Sequence, residues 1–171
     1  MSLFSKKCEH CKYYKIIIIF ALLFYNNYKA IIFSVQSMTN EEKVTYWIDL
    51  SDEDLRAGAT MLAGGHYLYV GFICHQCIEK IFKAAYEYRI NGTPPYIHDL
   101  MLIAKKAGIF EIFNEEQIDF IERLSPLNIR ARYPDYKKSL AKELTKAVCK
   151  NYIDETQKLQ QWTKEKILLI K

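Results

Sequence analysis

The chain has 171 residues, of which 50% are hydrophobic and 26% are charged, and its formal net charge is +4. This length fits one domain with a sizeable hydrophobic core, and the composition excludes a disordered or fibrous protein. The charge is too small to indicate nucleic-acid binding by itself, and five cysteines without disulfide-like spacing predict buried free thiols in a reducing, cytoplasmic environment.

Residues 1–37 differ in composition from the rest of the chain. Several lysines precede an apolar run over residues 16–24, and polar residues interrupt the apolar stretch that follows. Three interpretations of this apolar leader stay open: sequence upstream of a misassigned start at Met38, a signal peptide or membrane anchor, or an additional ordered element. We expect the first, because Thr39 and Glu42 form a capping box directly after Met38, as at a natural N-terminus.

Hydrophobic residues at helical spacing predict five helical segments after Met38: residues 40–62, 67–90 and 99–107, one from Asn114 that Pro126 interrupts, and one long segment over 137–171. The short joint between the first two makes them antiparallel neighbours. The last segment contains neither proline nor glycine, so one long helix is expected. Residues 38–171 are therefore predicted to be an all-α protein, an antiparallel up-and-down helical bundle of four to five helices.

Residues 67–90 form the predicted central helix. Apolar side chains at spacings of three and four indicate packing along most of its length: Val70, Cys74, Cys77, Ile81, Ala85 and Tyr88. The opposite face lies outside this packing stripe and carries Glu79, Lys80, Lys83 and Glu87. His75 precedes Glu79 by one helical turn, so the two could act as a catalytic base and its orienting acid. The other interpretation is a histidine that only completes the packing.

The loop after the central helix contains Pro94 and Pro95, which cannot continue a helix, and His98 and Asp99 follow. Asp99 is predicted to cap the next helix, because its carboxylate can accept hydrogen bonds from backbone N–H groups that lack helical partners. His98 is then either an anchor of the loop or part of a binding site.

Arg130 and Arg132 leave the fourth predicted helix just before Tyr133 and Pro134. Two arginines in this position can bind a phosphate group through paired hydrogen bonds. They can equally form ion pairs that fix the loop to the bundle, with Glu79, Glu122 or Asp135 as partners. The lysines that follow predict a solvated face, with binding of RNA or an acidic partner as the alternative: Lys137, Lys138, Lys142, Lys146 and Lys150.

Motifs of several enzyme classes are missing from the sequence. It contains no phosphate loop of the Walker type, no nucleophile elbow and no dinucleotide fingerprint. Cys8 and Cys11 have the spacing of half a zinc site, but no second Cys or His pair follows at a usual distance. We therefore expect neither a metal nor a cofactor, and no sequence-specific reading of DNA.

Taken together, five pieces of the sequence resemble a HEPN domain (higher eukaryotes and prokaryotes nucleotide-binding). No single piece is specific to this family. The resemblance depends on all five pieces occurring in order and at these distances over about residues 41–170. The pieces are residues 54–58 in the first helix, 65–67 at the joint, 74–84 in the central helix, Pro94-Pro95 with residues 98–100, and the Ala-Arg-Tyr-Pro-Asp segment over 131–135.

The resemblance implies an antiparallel helical bundle that often forms dimers. Many bacterial members of the family pair with a small nucleotidyltransferase in a toxin–antitoxin-like system. Numerous members are metal-independent ribonucleases, in which an arginine steadies phosphate charge and a histidine shortly after it acts on the 2′-hydroxyl or the leaving oxygen. This chain has no histidine after Arg132, and its Arg-Tyr-Pro form is similar to a branch associated with nucleotide or partner binding.

We therefore expect a non-catalytic, cytoplasmic homodimer that binds a nucleotide, RNA phosphate or a nucleotidyltransferase partner. A membrane is an expected partner only if residues 1–37 are retained. The expected contacts are Arg130, Arg132, Tyr133, Asp135, Glu79, Lys80, Lys83 and His98. One alternative is a ribonuclease that uses Arg132 with His75 or His98. A structural interaction scaffold, with the arginines as ion-pair anchors, is the other.

Overall fold

The computed structural model describes the backbone of residues 38–130 and 134–169 and the side chains of residues 38–130 and 139–166. Within these ranges it contains helices and loops and no strand, so the predicted all-α class is confirmed. The helices are α1 (Asn40–Ala63), α2 (Tyr67–Ile90), α3 (Leu100–Lys106), α4 (Glu115–Leu124), α5 (Leu127–Arg130), α6 (Pro134–Glu143) and α7 (Lys146–Leu169), and a 3-10 turn at Phe110–Ile112 follows α3.

Local chemistry explains most of the helix boundaries that the sequence predicts. Gly65 after α1 and Gly108 after α3 have φ angles of 76° and 67°, a left-handed conformation that glycine adopts without strain. The Asp99 side chain accepts a hydrogen bond from the backbone of α3 at 2.9 Å. Asn114 and Gln117 form both hydrogen bonds of the predicted capping box at α4.

Helix α2 lies at the centre of the bundle and packs on both α1 and α7. Helix α1 is antiparallel to α2, because Lys43 contacts Glu87 near the far end of α2. Helix α7 runs parallel to α2. Its Cys149 contacts the backbone of Tyr67, and Thr156, seven residues further along α7, lies near Cys74, seven residues further along α2.

One prediction about the last helix is wrong. The region after residue 137 is not one long helix but two, because the chain leaves helical structure at Leu144 and Thr145. The Thr145 hydroxyl accepts a hydrogen bond from the Val148 backbone at 3.3 Å and so starts α7 as a cap. Pro134 occupies the first position of α6, where its missing N–H costs no hydrogen bond.

The three cysteines in the described part of the chain are free thiols inside the bundle, as predicted. Burial raises the pKa of Cys74 and Cys77 to about 12 and that of Cys149 to about 11. These thiols therefore stay protonated and unreactive at neutral pH. None of the described helices is long and apolar enough to cross a bilayer.

Candidate functional site

A row of four polar side chains on α2 is buried: His75, Glu79, Lys83 and Glu87, one helical turn apart. The sequence placed the last three on the face away from the packing stripe, and their burial corrects that expectation. The amphipathic pattern assumes that one face of a helix packs. Helix α2 packs on two sides, because α1 and the loop over residues 91–99 cover the polar face as well.

The Glu79 carboxylate is the centre of this region. Its Oε1 accepts a hydrogen bond from Lys83 Nζ at 2.8 Å, and His98 Nδ1 lies 3.1 Å from Oε1 and 3.0 Å from Oε2. His75 Nδ1 is 3.8 Å from Oε2. We call these four residues the Glu79 cluster. It joins positions on one helix to a residue on a separate loop.

The Glu79 cluster keeps its carboxylate ionised. Burial by itself raises the pKa of Glu79, but the hydrogen bonds from Lys83 and His98 together outweigh it and hold the pKa below its usual value. Helix α1 closes the cluster from the other side, where the Lys83 ammonium lies 5.3 Å from the centre of the Trp47 ring. The buried charges are therefore paired within the bundle.

His98 is the accessible member of the cluster. Its side chain is 60% exposed, whereas that of Glu79 is 5% exposed. Nδ1 faces the carboxylate, and the described residues make no hydrogen bond to Nε2. An imidazole held in this way can exchange a proton with a substrate or bind a polar group. His75 is fully buried and out of reach of a substrate, which favours His98 as the histidine of any site here.

Two other expected site residues, Lys80 and Arg130, are not part of the Glu79 cluster. Lys80 lies on another side of α2 and forms an ion pair with Asp54 of α1. Arg130 donates a hydrogen bond to Glu143 Oε1 at 2.7 Å, which ties the end of α5 to the end of α6. This hydrogen bond also lowers the pKa of Glu143. Glu143 is not among the acids that the sequence suggests as partners of Arg130.

Three expected site residues lie wholly or partly outside the described part of the chain. Arg132 and Tyr133 lie outside the described residues, and of Asp135 only the backbone, in α6, is described. The segment that carries the arginines is nevertheless bounded on both sides. Helix α5 packs on α2 closely, since a Cβ added at Gly71 would lie 2.7 Å from Leu127 Cδ1. The three residues 131–133 then connect α5 to α6, and we call them the α5–α6 connection.

Sequence reasoning also missed a polar link between α1 and α7. Gln160 Nε2 donates hydrogen bonds to Ser51 Oγ at 2.8 Å and to Asp52 Oδ1 at 3.0 Å. Ser51 in turn donates to the Cys77 carbonyl at 2.8 Å, so the link reaches α2. No three described His, Cys, Asp or Glu side chains are grouped as a metal site requires. We regard the link as structural, because each of its buried groups is satisfied within the protein.

Comparison with known proteins identifies the family. The family model described as "HEPN domain" matches residues 44–167, most of the chain. The protein therefore belongs to the HEPN domain family, as the sequence indicates. No curated protein matches the chain.

Two solved structures have a similar fold. TT1696 from Thermus thermophilus is 20% identical, with a TM-score of 0.63 over 72% of this chain and 98% of that chain. ST0689, described as an archaeal HEPN homologue, is 19% identical, with a TM-score of 0.53 over 73% of this chain and 98% of that one. At these identities the similarity is evidence of fold alone.

Proposed function

We propose that this protein is a HEPN module that binds the phosphate of a nucleotide or of RNA near Arg132. In this proposal it works as a homodimer and as the companion of a minimal nucleotidyltransferase, the arrangement that the family resemblance implies. The family match spans the arginine-rich segment. The Arg-Tyr-Pro form of that segment, without a following histidine, favours binding over catalysis.

The observation that carries the proposal is the contact between Arg130 and Glu143. This contact engages Arg130 in fixing α5 to α6 and leaves Arg132 as the candidate ligand for phosphate. Arg132 lies in a connection of three residues whose two ends are held by helices.

Titration of fluorescently labelled single-stranded RNA and of ATP into the full chain tests this proposal. Arg132→Ala is expected to weaken phosphate binding by about tenfold to a hundredfold, the effect of losing charge-assisted hydrogen bonds. Arg123→Ala removes the same group from an exposed residue paired with Glu155 and serves as the control. Equal affinities for the wild type and Arg132→Ala, with the fold intact, contradict the site.

The partner part of the proposal has its own test. A small nucleotidyltransferase encoded beside this protein is expected to co-purify with it when both are expressed together. Light scattering of the protein alone gives its mass and so its oligomeric state. A monomer at micromolar concentration contradicts the homodimer, and separate elution of the two proteins contradicts the pairing.

The exposure of His98 supports a second candidate function, metal-independent RNA cleavage. In this mechanism His98 takes the proton of a ribose 2′-hydroxyl, the 2′-oxygen attacks the adjacent phosphorus, and the bond to the 5′-oxygen breaks. The products are a 2′,3′-cyclic phosphate and a 5′-hydroxyl, whose oxygen takes its proton from water. Arg132 steadies the charge on the phosphate. The histidine fits the base role because Glu79 orients it.

Incubation of the full chain with mixed RNA in EDTA distinguishes cleavage from binding. Cleavage that disappears in both His98→Ala and Arg132→Ala supports the ribonuclease. Intact RNA with the wild type contradicts it and leaves the binding function. Cleavage that survives in His98→Ala assigns the base role to another group.

A further inference from the structure

The loop over residues 91–99 is attached to the bundle at several points. Asn91 ends α2 with a φ angle of 52°, and Asp99 caps α3. Between them the ring of Pro94 is buried, and Ile97 packs against the hydrophobic core. His98 then binds Glu79. These attachments join the loop to the bundle on both sides of Tyr96.

Tyr96 is the outward-facing aromatic residue of this loop, and its exposure is 94%. Two other exposed tyrosines are less accessible to solvent, since Tyr46 is 52% exposed and Tyr69 is 55% exposed. One exposed aromatic ring is common on protein surfaces. What distinguishes Tyr96 is its neighbour. His98 is two residues away, so their Cα atoms lie within about 7 Å of each other.

The hydrogen-bonding role of His98 follows from its partner. An ionised carboxylate only accepts hydrogen bonds, so Nδ1 of His98 must carry the proton that faces Glu79. In the neutral imidazole Nε2 is then an acceptor, directed away from the carboxylate. A ribose 2′-hydroxyl can donate to such an acceptor, whereas a deoxyribose has no hydroxyl there.

We propose that Tyr96 and His98 form a contact for single-stranded RNA, in which Tyr96 stacks on a base and Nε2 of His98 accepts a hydrogen bond from the ribose 2′-hydroxyl. The inference rests on the proposed function because it takes RNA as the ligand. It adds Tyr96 and the 2′-hydroxyl contact to the proposed function, and it assigns the discrimination between RNA and DNA to His98. Stacking accepts any base, so the contact selects the sugar rather than the sequence.

The two residues have separable effects on affinity. The test is fluorescence anisotropy with the full chain and two uridine oligonucleotides of about ten nucleotides, one ribose and one deoxyribose, in EDTA at low temperature. Tyr96→Ala is expected to weaken binding of both by about tenfold, since stacking does not involve the sugar hydroxyl. Tyr96→Phe retains the ring and is expected to bind as the wild type does.

His98→Ala is expected to weaken RNA binding about fivefold and to leave DNA binding unchanged, because a single neutral hydrogen bond is lost. The preference of the wild type for the ribose oligonucleotide then disappears. Tyr69→Ala, a change of the same kind on an exposed tyrosine of α2, is the matched control and is expected to have no effect.

The outcomes separate this inference from the proposed function. If Arg132→Ala loses RNA binding while Tyr96→Ala and His98→Ala do not, the proposed function stands and this contact is wrong. If the wild type binds neither oligonucleotide, both fail for RNA. Equal losses in Tyr69→Ala and Tyr96→Ala, or a change of oligomeric mass in Tyr96→Ala with RNA affinity retained, also overturn the contact.

Discussion

The Glu79 cluster and the Arg130–Glu143 pair are both ionic contacts, but solvent reaches them to different extents. The Glu79 and Lys83 side chains are 5% and 11% exposed, whereas those of Arg130 and Glu143 are 28% and 52% exposed. A buried ion whose partner is lost keeps its desolvation cost without compensation, whereas an exposed ion is solvated by water. The first contact is therefore part of what holds the bundle together, and the second mainly joins the end of α5 to the end of α6.

The largest expected effect is that of Glu79→Ala. The substitution leaves the Lys83 ammonium buried beside Trp47 without its acid, and we expect the free energy of unfolding to fall by about 3 kcal/mol. Urea unfolding followed by tryptophan fluorescence measures it. The double variant Glu79→Leu with Lys83→Met removes both charges and is expected to recover most of the loss. If Glu79→Ala is as stable as the wild type, the Glu79–Lys83 pair is not desolvated and the prediction is wrong.

Acid is expected to weaken the Glu79 cluster gradually. Because the pKa of Glu79 is lower in the folded protein, its contribution to stability is complete above the unfolded pKa of about 4.3 and is lost as the pH falls through the folded pKa. The urea concentration at the midpoint of unfolding, measured at several pH values in this range, gives the slope of stability against pH. Glu79→Gln is expected to flatten the slope more than Glu143→Gln does. Identical slopes for Glu79→Gln and Glu143→Gln contradict the difference between the buried and the exposed contact.

The smallest expected effect is that of Glu143→Ala on stability. The pair with Arg130 is exposed, so water replaces the lost contact and the urea midpoint is expected to stay unchanged within error. Phosphate binding is the more sensitive measurement, since the substitution releases one attachment of the α5–α6 connection. A clear drop of the midpoint contradicts the comparison and makes the pair a structural contact like Glu79 and Lys83.

Much of the fold can be predicted from local sequence. The bounds of α2 agree with the prediction residue for residue, and Asn114 with Gln117 forms the capping box that was expected. These features depend on neighbours in the chain, so short-range sequence contains them. The sequence does not predict the break at Thr145. No glycine or proline lies beside this residue, so its local sequence resembles the interior of a helix, and its hydroxyl acts as a cap only in the structure.

The candidate site could be predicted only in part. The sequence selects Glu79, Lys83 and His98, and the structure brings these three together. The sequence gives no sign that Lys80, next to Glu79 in the chain, pairs with Asp54 instead. Nor does it show that Glu143 is a partner of Arg130. Each of these contacts depends on which side of a helix meets which neighbour, and local pattern does not contain that information.

The sequence by itself determined the helical class, most helix boundaries and the HEPN family, because hydrophobic spacing, caps and short motifs act over a few residues. Only the tertiary structure decided that Glu79 and Lys83 are buried and that His98, on a separate loop, contacts Glu79. Whether a polar face meets water or another helix depends on the packing of segments far apart in the chain. A buried carboxylate and an exposed histidine become one cluster only after that packing has formed.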